Sequence, residues 1–328
     1  MIVYNGFADH DKRCREFREM GVEIIELPPL GRRIEWPTIG LAFVIYAMWF
    51  ATTFFWRELP WPALVALGAW AIAWQMNLQH EVIHGHPTPS RFVNAAIGIW
   101  PLSLWLPFST YRSTHLRHHE DANLTDPFED PESYYWTLAG WRDLGPFGRG
   151  LATAQSTLLG RLILGPAWMM TRAVGRELRE AWRGKPGARA VLVSHLVQCA
   201  PVLIWVVGVC GMPFWVYVAA FVYPGMSLAM VRSFAEHRAA EEANERTAIV
   251  ENATILGPLF LFNNLHVAHH MRGGLPWYQI PAFYRLNRAA LIEHNGGLVY
   301  DSYVDVARRY LLRPHDSPLH PDWSRRAA

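Results

Sequence analysis

Three histidine patterns contain the residues of this chain whose types and spacing could do chemistry. The pattern HxxHH occurs twice and the shorter pattern HxxxH once, and each lies close to the end of an uncharged stretch. On a helix, side chains three and four residues apart lie on the same face, so each pattern places its imidazoles side by side. Imidazole is a common ligand of transition metals, and three such patterns together predict a multi-histidine metal site. The eight candidate ligands are His80, His84, His115, His118, His119, His266, His269 and His270.

A ninth candidate, His237, closely follows the uncharged residues 190–231. A single histidine at such a place more often only extends its ring to the membrane interface, but this one is expected at the same depth as the three patterns. Nine imidazoles are too many for one zinc ion, which takes four ligands. They suit two ions of a metal that accepts five or six ligands, and imidazole itself suits Fe, Zn, Cu and Ni.

The composition places the chain among membrane proteins. Charged residues make up 18% of the 328, against about 25% in soluble domains, and there are 16 tryptophans. The net charge of +2 gives no indication of a nucleic-acid partner. The three cysteines, Cys14, Cys199 and Cys210, form no disulfide framework, and we expect no cleavable signal peptide because the first apolar run begins only near Thr38.

Four uncharged stretches are long enough to form the membrane-crossing helices that would position these histidines. Residues 36–56 and 59–79 are separated by a tight turn, and residues 190–231 are divided at Gly211-Met212-Pro213. At 1.5 Å per residue each stretch covers the roughly 30 Å of a hydrocarbon core. The sequence thus predicts two helical hairpins. The positive-inside rule places both chain ends and the arginine-rich residues 140–189 on the cytoplasmic side.

A further uncharged run, residues 92–111, is predicted to be re-entrant or interfacial. Pro101 and Pro107 interrupt it, and a crossing there would put HxxxH and the first HxxHH on opposite faces of the membrane. Leu158–Trp182 mixes arginines with apolar residues, as an interfacial helix would.

The predicted fold is an all-α integral membrane protein with four transmembrane helices in two hairpins. A cytoplasmic helical cap carries the histidine patterns. The expected parts are a cytoplasmic segment 1–37 with a short helix near residues 11–20, a membrane domain 38–312 and a polar tail 313–328.

The combination of HxxxH, HxxHH and HxxHH on the cytoplasmic side of four spans resembles the membrane fatty-acid desaturase superfamily. This superfamily includes acyl-lipid and acyl-CoA desaturases, related hydroxylases and carotenoid ketolases, and the resemblance covers roughly residues 38–271. It implies a non-haem site with two Fe ions that activates O2, with electrons from a ferredoxin, rubredoxin or cytochrome b5. The family's additional histidine after its last span matches His237. An asparagine one turn before that histidine in the stearoyl-CoA desaturase branch is replaced here by Ser233, which predicts a water-mediated or vacant ligand position.

Polar residues beside the histidines are candidates for orienting the imidazoles, because metal-bound histidines usually hydrogen-bond through their second ring nitrogen. Each of them could equally be a solvated loop acid or a helix cap. His86 is interpreted as a non-ligand. His195, inside the third span, either lines a substrate passage or hydrogen-bonds a neighbouring helix, and the second is favoured. The candidates for orientation are Glu81, Glu120, Asp126, Asp130, Glu132, Glu236 and Asn264.

Two other classes of function use some of the same residues. The stretch from His80 to His84 also reads HExxH, in which Glu81 would be the general base of an intramembrane zinc protease. That interpretation needs one further ligand and leaves six histidines unexplained, and no Asn-Pro or Asp-Gly partner motif of the intramembrane type is present. A non-enzymatic metal transporter would usually place its polar residues in the middle of its spans, whereas these clusters lie at span ends.

We therefore predict an oxidoreductase, a membrane-bound, O2-dependent di-iron desaturase that introduces a C=C bond into lipid-like acyl chains. Hydroxylation or carotenoid ketolation is the main alternative, because these reactions share a site and differ in how the substrate carbon is held. The expected partners are the acyl or lipid substrate, the membrane and a separate electron donor with its reductase. The expected location is the bacterial inner membrane, with the metal site and both termini in the cytoplasm.

Overall fold

The computed structural model describes residues 24–27 and 33–321, and almost all of their regular structure is helical. Several helices begin with a proline in the first turn, where its missing N–H needs no partner. The predicted helix near residues 11–20, and Cys14, lie outside the described residues. The helices are α1 Trp36–Phe54, α2 Trp61–Ile83, α3 Arg91–Gly98, α4 Phe108–His118, α5 Leu138–Asp143, α6 Pro146–Gln155, α7 Leu158–Trp182, α8 Ala188–Leu203, α9 Phe214–Tyr217, α10 Tyr223–Glu236, α11 Leu256–Leu259, α12 His266–Met271, α13 Ile280–His294 and α14 Tyr303–Tyr310.

The chain divides into two units, which we describe separately. The span unit comprises Arg32–Ser113 and Arg161–Val231. Of the described residues, the histidine unit comprises 24–27, 114–160 and 232–321. Both HxxHH patterns and His237 belong to the histidine unit, whereas the HxxxH pattern belongs to the span unit.

Three helices of the described residues are long and apolar enough to cross a membrane. The first is α1. The second, Ala188–Val209, is α8 extended by a π-helical turn at residues 204–209. The third, Phe214–Glu236, joins α9 to α10 through a π-helical turn at residues 218–222. They agree with three of the four predicted spans, and the break predicted at Gly211-Met212-Pro213 is confirmed.

The remaining predicted span forms α2, which has the required length but is more polar. It packs along α1 and against residues 218–222, where Gly68 permits close approach because a Cβ there would lie 2.6 Å from the Ala220 carbonyl oxygen. The second half of α2 holds five buried polar residues, so that its crossing of the membrane stays a prediction. These residues are Gln75, Asn77, Gln79, His80 and Glu81.

The two hairpin turns of the span unit contact each other. The indole of Trp56 donates to the Cys210 carbonyl over 3.1 Å. The guanidinium of Arg57 donates to the carbonyls of Cys210 and Gly211, each also at 3.1 Å. Gly211 has φ +56, in the left-handed region that favours glycine. The contact agrees with the prediction that both turns lie on the same side of the membrane.

The predicted re-entrant run forms no continuous helix, because α3 ends at Gly98 and α4 begins only at Phe108. Side chains of the span unit bind the carbonyl groups along this stretch. Irregular backbone at membrane depth is tolerated only where its polar groups are satisfied within the protein. Two of the polar residues that make α2 less apolar are therefore needed to hold this segment. The donor–acceptor pairs, 2.5 to 3.1 Å apart, are Tyr46 Oη to Ile97 O, Gln79 Nε2 to Gly98 O, Gln75 Nε2 to Trp100 O, Tyr217 Oη to Leu102 O and His195 Nε2 to Leu104 O.

In the histidine unit, the second HxxHH pattern rests on an apolar core. The residues between its histidines, Val267 and Ala268, are buried against Phe283 of α13, and α12 also packs against strand β1. Strands β1 Ile249–Val250 and β2 Val299–Tyr300 pair in parallel, a small element that the all-α prediction did not include. Burial of the apolar positions fixes which face of α12 presents its histidines.

Candidate metal centre

Four histidines of the histidine unit converge through their ring nitrogens. His118 ends α4, His237 follows α10 directly, and His266 and His270 lie one turn apart on α12. The Nε2 atom of His237 lies 3.0 Å from that of His118 and 2.9 Å from that of His266. The ring centroid of His270 lies 4.6 Å from that of His266 and 5.1 Å from that of His237. One ring nitrogen from each of the four lies within 4.8 Å of the others.

In three members of this group, the other ring nitrogen, Nδ1, contacts a hydrogen-bond acceptor of its own. A hydrogen bond from Nδ1–H to such an acceptor fixes the tautomer and directs the Nε2 lone pair toward the centre of the group. The contacts are His118 Nδ1 to Asp130 Oδ1 at 2.9 Å, His237 Nδ1 to the Arg246 carbonyl at 3.2 Å, and His266 Nδ1 to the Asn263 carbonyl at 3.2 Å and to Glu236 Oε1 at 3.3 Å.

Three more histidines of the same unit form a second group. The Nε2 atom of His119 lies 3.1 Å from that of His115 and 3.1 Å from that of His269. The rings of His119 and His270 stack, with centroids 4.3 Å apart and an interplanar angle of 18°. Because this stacking joins the two groups, they lie side by side and could bind a pair of metal ions.

The loop after α4 brings two carboxylates to the first HxxHH pattern. Glu132 Oε1 lies 3.0 Å from His115 Nδ1, as Asp130 lies against His118. The loop also fixes the Asp130 carboxylate, because Oδ1 accepts from the Glu132 N–H at 2.8 Å and Oδ2 from the Thr125 N–H at 2.9 Å. Asp130 and His118 side chains are both only 3% exposed, so this contact is shielded from water.

Burial and neighbouring charges set the protonation of these groups. Burial lowers the pKa of His118, but the carboxylates of Glu132 and Asp130 outweigh it and raise the pKa to about 9. Burial would raise the pKa of Glu132, but His118 and His115 hold it well below its ordinary value. Burial, and then the charges of His118 and His270, lower the pKa of His237 far below 6.5. His237 is therefore neutral at pH 7, which is the form that binds metal.

The donor set fits a metal ion. Lone pairs of two ring nitrogens that face each other at 3.0 Å repel unless a proton or a metal ion lies between them. The carboxylates that raise the pKa of His118 favour a proton there, and this proton supplies positive charge to the contact with His237. A metal ion would supply it to all the converging nitrogens at once, while Asp130 and Glu132 balance part of its charge.

The HxxxH pattern lies in the span unit at the end of α2. His80 and His84 are buried there, with ring centroids 4.9 Å apart. His86 lies between two carboxylates, because its Nδ1 is 2.6 Å from Glu35 Oε1 and its Nε2 is 4.0 Å from Glu81 Oε1. The assignment of His80 and His84 as ligands, and of His86 as a non-ligand, stays a prediction.

The other candidate residues have structural contacts. Asp126 Oδ1 accepts the backbone N–H groups of Phe128 and Glu129, and Asn264 Nδ2 donates to the Val250 carbonyl over 2.7 Å. His195 Nε2 hydrogen-bonds the Leu104 carbonyl at 3.1 Å. This carbonyl belongs to a non-helical segment and not to a neighbouring helix as the sequence predicts. Ser233 is half-buried in α10.

Two acceptors of the ligand imidazoles were not found from the sequence. The carbonyl groups of Arg246 and Asn263 hold His237 and His266. Every residue has a carbonyl group, so no residue type marks such a position. Only the chain path brings Arg246 back to His237, through the antiparallel bridge between His237 and Thr247.

These features define the chain as a membrane protein whose buried histidine groups could bind metal. The family model for fatty acid desaturases matches residues 56–302, well over half of the chain. The chain therefore belongs to the fatty acid desaturase family, which indicates an oxidoreductase with desaturase- or hydroxylase-type activity. The search of curated proteins gave no significant match.

Proposed function

We propose that the protein is an O2-dependent di-iron desaturase that introduces a C=C bond into fatty-acyl chains of lipids. One observation carries the proposal. In a chain of this family, seven histidines, six of them buried, form two adjacent groups, with ring nitrogens directed at one another and carboxylates behind them.

The two groups divide the ligands between two ions. His118, His237, His266 and His270 would hold one ion, and His115, His119 and His269 would contribute to the other. The HxxxH motif of the family adds His80 and His84 to the ligand set in this proposal. So many imidazoles favour iron over zinc, because zinc sites are complete with four ligands.

The chain's own residues hold and orient the imidazoles. The carboxylates of Asp130 and Glu132 accept hydrogen bonds from the Nδ1–H groups of His118 and His115. The two rings therefore keep one tautomer and one direction. The buried position of these histidines excludes bulk water from the centre. Bound iron would supply the O2 activation that an unreactive C–H bond requires.

The reaction balances with an external reductant. One CH2–CH2 unit, O2, two electrons and two protons give one CH=CH unit and two molecules of water. The electrons require a donor protein of the ferredoxin, rubredoxin or cytochrome b5 type with its reductase. The membrane supplies the acyl substrate, and we place the site on the cytoplasmic side of the bacterial inner membrane.

Product analysis tests this proposal. Membranes that contain the protein are incubated with a panel of isotope-labelled fatty acids, a reductase–ferredoxin pair, NADPH and O2. Mass spectrometry is expected to find a product lighter by two hydrogens, and none with the His118→Ala variant. A product that instead retains one oxygen atom would replace desaturation with hydroxylation. Absence of any oxidised product from acyl and carotenoid substrates would contradict the proposal.

A further inference from the structure

The segment that ends the described chain folds back onto the loop that orients His118. This segment, residues 315–320, lies beyond residue 302, where the family match ends. Its backbone pairs with Trp136, because the Trp136 N–H donates to the Pro318 carbonyl over 2.8 Å and the His320 N–H to the Trp136 carbonyl over 3.1 Å. The Tyr135 hydroxyl also hydrogen-bonds the Asp316 carboxylate.

His320 reaches the orienting loop with its side chain. It is 1% exposed, its ring packs edge-on against Tyr135, and its Nε2 lies 3.1 Å from Thr125 Oγ1. Thr125 is itself 2% exposed. A buried polar pair in these surroundings holds both side chains in one geometry.

Thr125 has an unusual backbone conformation. Its φ is +68, in the left-handed region, which a β-branched residue rarely adopts. This conformation aims the Thr125 N–H at Asp130 Oδ2, 2.9 Å away, while the Thr125 carbonyl accepts from the Ser133 hydroxyl at 2.7 Å. Such strain persists only where surrounding contacts enforce it, and it concentrates at functional sites.

We infer that His320 and Thr125 are positioning residues for one of the two metal ions. The contacts run from His320 Nε2 to Thr125 Oγ1, from Thr125 N–H to Asp130 Oδ2, and from Asp130 Oδ1 to His118 Nδ1. Each contact fixes the next, and the last fixes a ring in the group of His118, His237, His266 and His270. The other group is one contact further away, because Asp130 Oδ1 also accepts the Glu132 N–H at 2.8 Å and Glu132 in turn contacts His115.

The inference rests on the proposed function, since it needs two bound ions. Its test is the release of iron from the purified full chain in detergent to the Fe(II) chelator ferrozine. Loss of an outer hydrogen-bond partner typically weakens metal binding by about 10–100-fold. Thr125 and His320 act one and two contacts further out than Asp130, so in Thr125→Val and His320→Gln one iron of the two is expected to leave faster by up to about tenfold, while the other is accelerated less.

Two variants separate positioning from general loosening. Thr125→Ser keeps the hydroxyl and is expected to release both irons at the parent rates. His315→Gln removes another buried histidine of the same segment, whose Nε2 contacts the Tyr300 hydroxyl at 2.7 Å. It is expected to lower the melting temperature without a change in the ratio of the two release rates.

Equal acceleration of both irons in Thr125→Val and His320→Gln, or unchanged release in both variants, would overturn the inference. Parent protein that never holds two irons would instead overturn the proposed function, and the inference with it. The parent measurement therefore distinguishes the two failures.

Discussion

His118 Nδ1 lies 2.9 Å from Asp130 Oδ1, with both side chains buried. The opposite nitrogen of the same ring faces His237. One imidazole thus connects a carboxylate on the loop after α4 to the group of converging histidines. This arrangement is what a histidine needs to bind metal firmly, because the carboxylate fixes the ring and makes the bound nitrogen a better donor.

Asp130→Ala should weaken iron binding at one site by about 10–100-fold, since the His118 ring loses its orienting acceptor. Equilibrium competition with a chelator measures this directly. Asp126→Ala is the matched control, because Asp126 belongs to the same loop but its Oδ1 accepts backbone N–H groups. Equal iron affinity in Asp130→Ala and Asp126→Ala would show that the carboxylate contact has no role in metal binding.

Gln75→Leu should destabilise the span unit, because the Trp100 carbonyl, in a part-buried setting, loses the hydrogen bond of 2.8 Å from the buried Gln75 side chain. An unsatisfied buried polar group costs about 1–3 kcal/mol. For a chain of this size that corresponds to a melting temperature lower by roughly 2–10 °C in detergent. Gln198→Leu is the control, because Gln198 donates to Ser194 one turn earlier on its own helix. If both variants melt at the parent temperature, the irregular segment does not depend on these side-chain donors.

The histidine spacing and the apolar runs were enough to predict the long helices α1, α2, α7, α8 and α10, and to propose the candidate ligands. HxxHH places its rings on one helix face by geometry alone, so α4 and α12 hold their histidines as the sequence predicts. Asp130 and Glu132 could also be proposed, because they follow the first HxxHH pattern closely.

Other features depend on the chain path and could not be predicted. The carbonyl groups that hold His237 and His266 carry no residue-type signal. Gln75 and Gln79 make α2 less apolar than a typical span. Their role as hydrogen-bond donors to the irregular residues 97–104 is visible only in the folded chain. The contact between His320 and Thr125 joins residues far apart in sequence, for which local periodicity contains no information.

The hairpin turns should lie outside the cytoplasm and the loop after α4 inside it. In a chain whose native cysteines are replaced by alanine, Glu58→Cys and Phe214→Cys should react with an impermeant maleimide added to intact cells. Both positions are exposed in the structure. Glu120→Cys, also exposed, should react only after the cells are permeabilised. Labelling of Glu120→Cys in intact cells would contradict the proposed topology.

Charge reversal at Arg179 and Arg183 should slow donor-dependent turnover at low ionic strength, with iron content unchanged. Arg179 on α7 and Arg183 directly after it are both exposed. Small electron-transfer proteins are usually acidic, so electrostatic steering would speed association and weaken with salt. Steady-state kinetics against donor concentration at several salt concentrations measures the effect.

Arg308→Glu, at an exposed position outside α7, is the control for net charge. If the Arg179 and Arg183 variant keeps the parent rate at every donor and salt concentration, the arginines only fix orientation or bind anionic lipid.

The metal content of the purified full chain tests the central claim most directly. Inductively coupled plasma mass spectrometry, normalised to protein by amino-acid analysis, should find about two Fe per chain and little Zn, because nine imidazoles exceed the four ligands of a zinc site. One stoichiometric Zn per chain without iron would contradict the di-iron account and favour the HExxH protease interpretation instead.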